Sequence, residues 1–178
     1  MSTLAMPEAP PVPSLAARIK LATLPAEHAA ARALRRQVFC LEQGLFDGDD
    51  TDAIDGAAIT LVAVDGDGAV IGTVRIHHAG DDVWWGSRLA VARVARRQAA
   101  VGSGLIRLAV GAARSFGCTT FLAHVQQQNV AMFRQLHWHE LAEVLLHGRP
   151  HSLMRAGLAA YPAIHDGEQG FICARGGA

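Results

Sequence analysis

An arginine pair, Arg96-Arg97, and a glycine pair, set between an apolar run and a helix-forming run, carry the clearest chemistry in this chain: residues 88–104 read RLAVARVARRQAAVGSG. A glycine-paired turn that opens a helix gathers backbone N–H groups around an anion, and the positive end of the following helix, 105–115, adds to the attraction. Glycine serves there because a side chain would block close approach. The chemistry implied is retention of a pyrophosphate. Histidine is also abundant, with nine in the chain. His137 with His139, or His147 with His151, offer two nitrogens at a time, and no H-E-x-x-H helix or cysteine pair completes a tetrahedral set, so the spacing predicts no metal site. His151, after Gly148-Arg149-Pro150, is expected either to fix a hairpin or to border a binding pocket.

The elements that must position these groups follow from periodicity. Pro25 ahead of the alanine- and arginine-rich stretch 26–36 predicts a helix, and 38–46 a second short one broken at Gly44. An acidic loop follows at 47–55. Residues 59–64 and 69–77 read as strands joined by Asp65-Gly66-Asp67-Gly68, a hairpin signal. Strand 83–91, helix 102–115 and strand 119–125 form a crossover unit, which makes the two strands parallel. Helix 130–136 and a closing hairpin of 141–147 with 151–155 complete the order. The expected fold class is α/β in the mixed α+β sense, a central, mostly antiparallel sheet flanked by helices.

Size and composition bound the rest. With 178 residues, 51% of them hydrophobic, the chain suits one domain, expected over 18–165 between a flexible Pro/Ala-rich tail, 1–17, and a C-terminal tail, 166–178. Sixteen basic residues balance sixteen acidic ones, so no global field draws nucleic acid or an anionic membrane. Cys40, Cys118 and Cys173 are odd in number and widely spaced, which argues against a disulfide framework and for a reducing, cytoplasmic setting. No leader pattern or spanning apolar run is expected.

A second segment, GCTTFLAHVQQQNVAMFRQLHW over 117–138, gives the first its context. Together they resemble the GNAT family of acyl-CoA-dependent N-acetyltransferases. That family has an Arg/Gln-x-x-Gly-x-Gly/Ala turn after its fourth strand and a later helix containing Asn. Gly102, Ser103 and Gly104 match the glycine pair, and Asn129, Leu136 and Trp138 match the later helix. Ala99 stands where the family carries Arg or Gln, with Arg96, Arg97 and Gln98 just upstream and Ala100 and Val101 just after. The segment RRQVFCLEQG over 35–44 and GTVR over 72–75 strengthen the likeness, and are shared with acyl-homoserine lactone synthases. WWGSRLAV, VQQQNV and HGRPHSLM resemble a bacterial subfamily found with nitrogen-starvation and nitrilase gene clusters.

The resemblance implies acetyl-CoA as cofactor, held by the 96–104 turn, by strand amides at Leu89, Ala90 and Val91, and by Asn129 and Phe133 on the later helix. It implies direct transfer of the acetyl group to a primary amine of a small molecule. Glu42 is the first expected base and His77 the second, while Arg75 would orient an acidic substrate group or pair with the carboxylates of 47–55. Phe133 occupies the position where the family often has a proton-donating Tyr. Two other readings stay open here: an acyl-homoserine lactone synthase-like acyltransferase, and a non-catalytic acyl-CoA sensor. Expected partners are the small amine and a second copy of the chain, with neither nucleic acid nor membrane.

Overall fold

The computed structural model describes residues 16–174. Most of the stretch expected to be an N-terminal tail therefore lies outside the described residues. Eight strands form one sheet: β1 (Ala17–Leu21), β2 (Ile59–Val64), β3 (Val70–Gly80), β4 (Val83–Val91), β5 (Thr120–Gln126), β6 (Trp138–Leu146), β7 (Arg149–Ala156) and β8 (Phe171–Cys173). Their order is β6-β7-β5-β4-β3-β2-β1-β8. Every neighbouring pair is antiparallel except β4 with β5, which is parallel. The expected mixed, mostly antiparallel sheet is therefore present.

Helices cover the faces of the sheet. α1 (Pro25–Arg35) packs on β3 and β4, and α2 (Ala99–Ser115) crosses β1 to β4. Pro25 fits the start of α1 because it has no N–H to satisfy. Glu27 then reaches back to accept the N–H groups of Thr23 and Leu24, at 2.8 and 3.1 Å. α2 is apolar on nearly every side. Val101, Leu105, Leu108, Val110 and Ala113 are fully buried, since the sheet lies on one side and the chain after β7 crosses the other. There Ile164 donates its N–H to the Gly111 carbonyl at 2.9 Å. A short third helix, α3 (Val130–Gln135), precedes β6.

Four expectations change. The second short helix is not separate: α1 runs without a break into a segment of wider turns, Arg36–Glu42, where Gln43 N–H bonds Val38 C=O. Such widened turns recur at functional sites. α2 starts at Ala99, three residues earlier than expected, because Ala99 and Ala100 are strong helix formers. The closing hairpin is longer, with its turn at His147 and Gly148. Finally, β1 and β8 are additional strands, so part of the stretch expected as a C-terminal tail belongs to the sheet. β8 pairs with β1 through Ala17–Cys173, Arg18–Ile172 and Ile19–Phe171.

Gly170 makes that docking possible. Its φ is +61°, and a Cβ built there would lie 1.8 Å from the Ile19 carbonyl oxygen. Gly170→Ala is expected to lift β8 off the edge of β1 and to lower stability by at least ~1–2 kcal/mol, the left-handed cost alone. Urea unfolding checks it, and an unchanged midpoint would count against this account of the edge.

Candidate active site

The site begins where the sheet fails to close. β4 and β5 pair only from Val83 with Thr120 to Gly86 with Ala123, and beyond this point the two strands part. Gly86 sits at the fork, where an added Cβ would come within 3.0 Å of the Phe121 ring. Just past it β4 bulges: between the pairs Thr73–Ala90 and Arg75–Ser87, β4 uses one residue more than β3. Arg88, in the bulge, has φ +56°, a left-handed conformation that is rare for a side chain of this size.

A cavity of about 440 Å³ fills the opening. On the α2 side it is lined by Ile106, Ala109, Phe121, Ala123, Val125 and Phe133; on the α1 side by Phe46, His77, Trp85, Arg88, His124 and His147. It thus passes through the sheet from one face to the other. Strand alternation sorts these groups, since His77 lies opposite Trp85 in the β3–β4 ladder and the His124 ring lies tilted against Trp85, with centroids 4.9 Å apart.

The expected cofactor residues divide in three. Leu89, Asn129 and Phe133 line the cavity. Phe133 is buried against the Trp138 ring, with centroids 5.0 Å apart. Ala90 instead packs under α1 beside Leu34, Val38 and Phe39. Val91 turns its carbonyl to Arg96 Nε, at 2.9 Å. The third set is the anion cradle, and its register shifts. Gly102 and Gly104 lie inside α2, not in a turn before it, so their N–H groups are not the open ones.

The unbonded donors of the helix belong to its first turn, at Ala99 and Ala100, behind the extended residue Gln98. Arg97 stands three residues before Ala100, and Gly102 two after it. The spacing Arg-x-x-small-x-Gly is thereby restored, with alanine in place of the first glycine. A Cβ on Gly102 would meet nothing within 4 Å, so this face of α2 is open. Gly104 has a different use: it lets Ile19 approach, whose Cγ1 would be 3.1 Å from a Cβ there. Ser103 returns its hydroxyl to the Ala99 carbonyl at 2.8 Å.

Glu42 does not reach the cavity. Its carboxylate pairs with Arg96 Nη2 at 2.5 Å, and this hydrogen bond holds its pKa below the ordinary carboxylate value. A carboxylate engaged by Arg96 and lying outside the cavity is poorly placed to accept a proton there, which works against the expected role as base. His77 does reach the cavity. Its Nδ1 is buried without a hydrogen-bond partner among the described residues. Burial, and then the neighbouring Arg75 charge, push its pKa down, so the ring is neutral across more of the pH range than free imidazole.

Arg75 takes the structural alternative. Its Nε bonds Ser87 Oγ at 2.8 Å, its Nη atoms take both Asp52 oxygens at 2.7 and 2.8 Å, and Asp55 lies at 2.9 Å. Every nitrogen is bonded and the side chain is only 2% exposed, which works against a role in orienting a substrate. The same acidic loop holds Arg35 through Asp50 and Asp55 at 2.7 Å each, and Arg88 through Asp50 at 2.9 Å. Three arginines and three aspartates thus tie α1, the loop, β3 and β4 into one network.

His151 borders the cavity, as one of its two expected placements had it, and its Nδ1 bonds the Arg149 carbonyl at 2.9 Å. The sequence alone did not single out Phe46, Arg88, His124 or His147 as lining groups. The signal for His124 was present: Phe121, Ala123 and Val125 alternate toward the core, leaving His124 on the Trp85 face. No sequence signal brings His147 to Phe46, where the rings lie 4.6 Å apart. That contact belongs to a clasp across the opening, in which Arg149 Nη2 donates to the Gln43 carbonyl at 2.5 Å and Gln126 Nε2 to Gln43 Oε1 at 2.9 Å.

Among the described residues no helix is long and apolar enough to cross a membrane. The model of the Acetyltransferase (GNAT) family matches residues 31–138. No curated protein sequence matches the chain. Among solved structures, a Lactobacillus plantarum protein described as an N-acetyltransferase candidate superposes with TM-score 0.72 at 24% identity, covering 79% of this chain and 97% of that one. An acyl-CoA N-acyltransferase from Pseudomonas aeruginosa gives 0.68 at 23% identity, covering 81% and 100%. A CoA-dependent acyl-homoserine lactone synthase, BjaI, gives 0.63 at 16% identity, covering 78% and 82%. At these identities the superpositions speak for the fold.

Proposed function

Since the chain belongs to the GNAT acetyltransferase family, we propose that it transfers an acetyl group from acetyl-CoA to the primary amine of a small molecule. The observation that carries this reading is the cavity through the sheet at the β4–β5 opening, with Leu89, Asn129 and Phe133 on its wall and His77 at its far side. The residues fit the cofactor on two counts. The opening leaves strand edges free to pair with an extended arm, and the first turn of α2 offers N–H donors and a helix dipole to a pyrophosphate.

When bound, the thioester supplies an activated acyl carbon and a thiolate leaving group whose thiol pKa is near 8.5. The chain's own residues then position and deprotonate. The β4 bulge at Arg88 and Leu89 leaves backbone groups out of the ladder, and these would be free to polarise a bound thioester carbonyl, where negative charge would develop. The His77 imidazole, its pKa lowered by burial and by Arg75, would take at Nε2, the ring nitrogen that is not enclosed, the proton that the amine gives up as its nitrogen bonds the acyl carbon and the carbon–sulfur bond breaks. Phe133 has no proton to give, so the thiolate leaves without help from that position. Trp85 and the histidines around it confine the acceptor, and positioning supplies much of the rate.

The test is thiol release from acetyl-CoA with a panel of primary amines, with the N-acetyl products identified by mass spectrometry. Saturable acetyl-CoA binding with no thiol release from any amine would refute the transfer reading. A separate variant tests the cradle. Ala100→Asp sets a negative charge in the first turn of α2, which suits the helix but repels a pyrophosphate. Acetyl-CoA binding by calorimetry is expected to weaken by roughly 5- to 30-fold, equivalent to about 1–2 kcal/mol. An unchanged affinity would move the pyrophosphate elsewhere.

A further inference from the structure

The acceptor end of the cavity has an unequal stock of charged groups. Apart from histidines, its charged lining is Asp52, Arg75 and Arg88. Asp52 is fully engaged: Oδ1 accepts from Arg75 Nη1 and the Ile54 N–H, and Oδ2 from Arg75 Nη2 and Arg88 Nη2. A polyamine or other dication therefore finds no free carboxylate here for its second ammonium. Arg75 is equally engaged through all its nitrogens.

Arg88 differs. Its Nε donates to Asp50 Oδ2 at 2.9 Å, and its Nη2 to the Asp50 carbonyl at 3.0 Å and to Asp52 at 3.3 Å. Nη1 has no partner among the described residues, and it is not a closed-off atom of the kind that His77 Nδ1 is. The group is also held still. Asp50, itself buried, fixes one edge, and the Phe46 ring lies 4.4 Å below the guanidinium carbon. A guanidinium fixed by its neighbours, with donors to spare, is prepared for a planar anion. The left-handed backbone at Arg88, φ +56°, is a strain kept at the same spot.

We propose that the acceptor is an amino carboxylate with an apolar or aromatic body, its carboxylate accepting from Arg88 Nη1. This rests on the transferase reading and names its substrate class. Arg88 directly precedes Leu89 on the bulged strand, so the residue proposed to anchor the carboxylate neighbours the backbone proposed to face the acyl group. Phe46, Trp85 and Leu146 supply the apolar surround for the body.

The test uses reaction products, so that binding is read without turnover. N-acetyl-L-phenylalanine and its carboxamide are titrated by calorimetry into the protein saturated with CoA. The acid is expected to bind at least tenfold more tightly than the amide, and Arg88→Lys and Arg88→Gln to abolish the difference. Equal binding of acid and amide overturns the proposal, and this comparison needs only the unsubstituted protein. A preference that survives in folded Arg88→Gln overturns the role of Arg88. If the acid preference appears while no amino acid drives thiol release, the pocket assignment stands and the transferase reading falls.

Discussion

His77→Ala lowers kcat for amine acetylation by about 10²- to 10³-fold, within the range for loss of a positioned general base, and leaves acetyl-CoA affinity within a factor of two or so. The expectation comes from geometry first. His77 is an imidazole on the cavity wall whose Nε2 is neither enclosed nor bonded among the described residues, while the carboxylate named first from the sequence, Glu42, is bound to Arg96 outside the cavity. The pH profile distinguishes a base from a wall residue. Burial and Arg75 depress the His77 pKa, so its deprotonated form is reached at lower pH than free imidazole near 6.5. With an acceptor of low amine pKa, kcat rises with pH and levels off below that value. The variant loses this limb. Activity within threefold of the unsubstituted protein, with the acid limb intact, would remove His77 from the proton path. Glu42→Gln, by contrast, leaves the limb unchanged.

Arg35→Met costs about 3–5 kcal/mol of stability, the usual penalty for breaking a buried pair and leaving its partners charged. Arg35 is buried at the end of α1, bonded to Asp50 through Nε and to Asp55 through both Nη atoms. Removing it leaves Asp50, also buried, with Arg88 alone. The triple substitution Arg35→Met, Asp50→Asn, Asp55→Asn is expected to recover part of the loss, because the stranded charges go with the guanidinium. Acid adds a sign. Arg75 depresses the Asp52 pKa, and Asp55, despite its burial, is held far below its ordinary value by Arg35. Folded pKa values below the unfolded 3.9 contribute stability that is complete above about pH 4–5 and is lost as pH falls through the folded values. In Arg35→Met, Asp55 loses its main partner, so acid unfolding begins at higher pH. Urea midpoints measured from pH 3 to 7 test both statements, and a shift below 1 kcal/mol would refute the first.

Where local pattern decides the structure, the sequence was readable. The β2 and β4 boundaries follow from β-branched and aromatic runs closed by turn residues, and Asp65 closes its hairpin by accepting from Asp67 and Ala69 as an Asx turn does. β1 carried a legible signal too, since Ala17 and Ile19 point inward while Arg18 and Lys20 alternate with them. Five residues behind a Pro/Ala-rich stretch are too few for periodicity to stand out. The glycine pair was read as a turn and instead lies inside α2, because glycine marks a turn in sequence but here serves helix packing at Gly104. Arg75 was read with two outcomes, and only the position of the acidic loop chooses between them. Arg88, His124 and His147 come together through pairing across the sheet and through the β6–β7 turn, contacts that no local window contains.

The parting of β4 from β5 also marks the sheet mechanically. Eight strands are joined side to side, yet between these two only four residue pairs, Val83 to Gly86 with Thr120 to Ala123, hold the halves together. Past the fork, residues 87–91 of β4 keep only their β3 neighbour, so their opposite edge is the least protected backbone in the middle of the sheet. Local opening there costs little of the global stability. Amide exchange is therefore expected to be faster along this seam than elsewhere in the middle of the sheet in the free protein, and a molecule laid into it would act as the missing strand, slowing exchange on both halves at once.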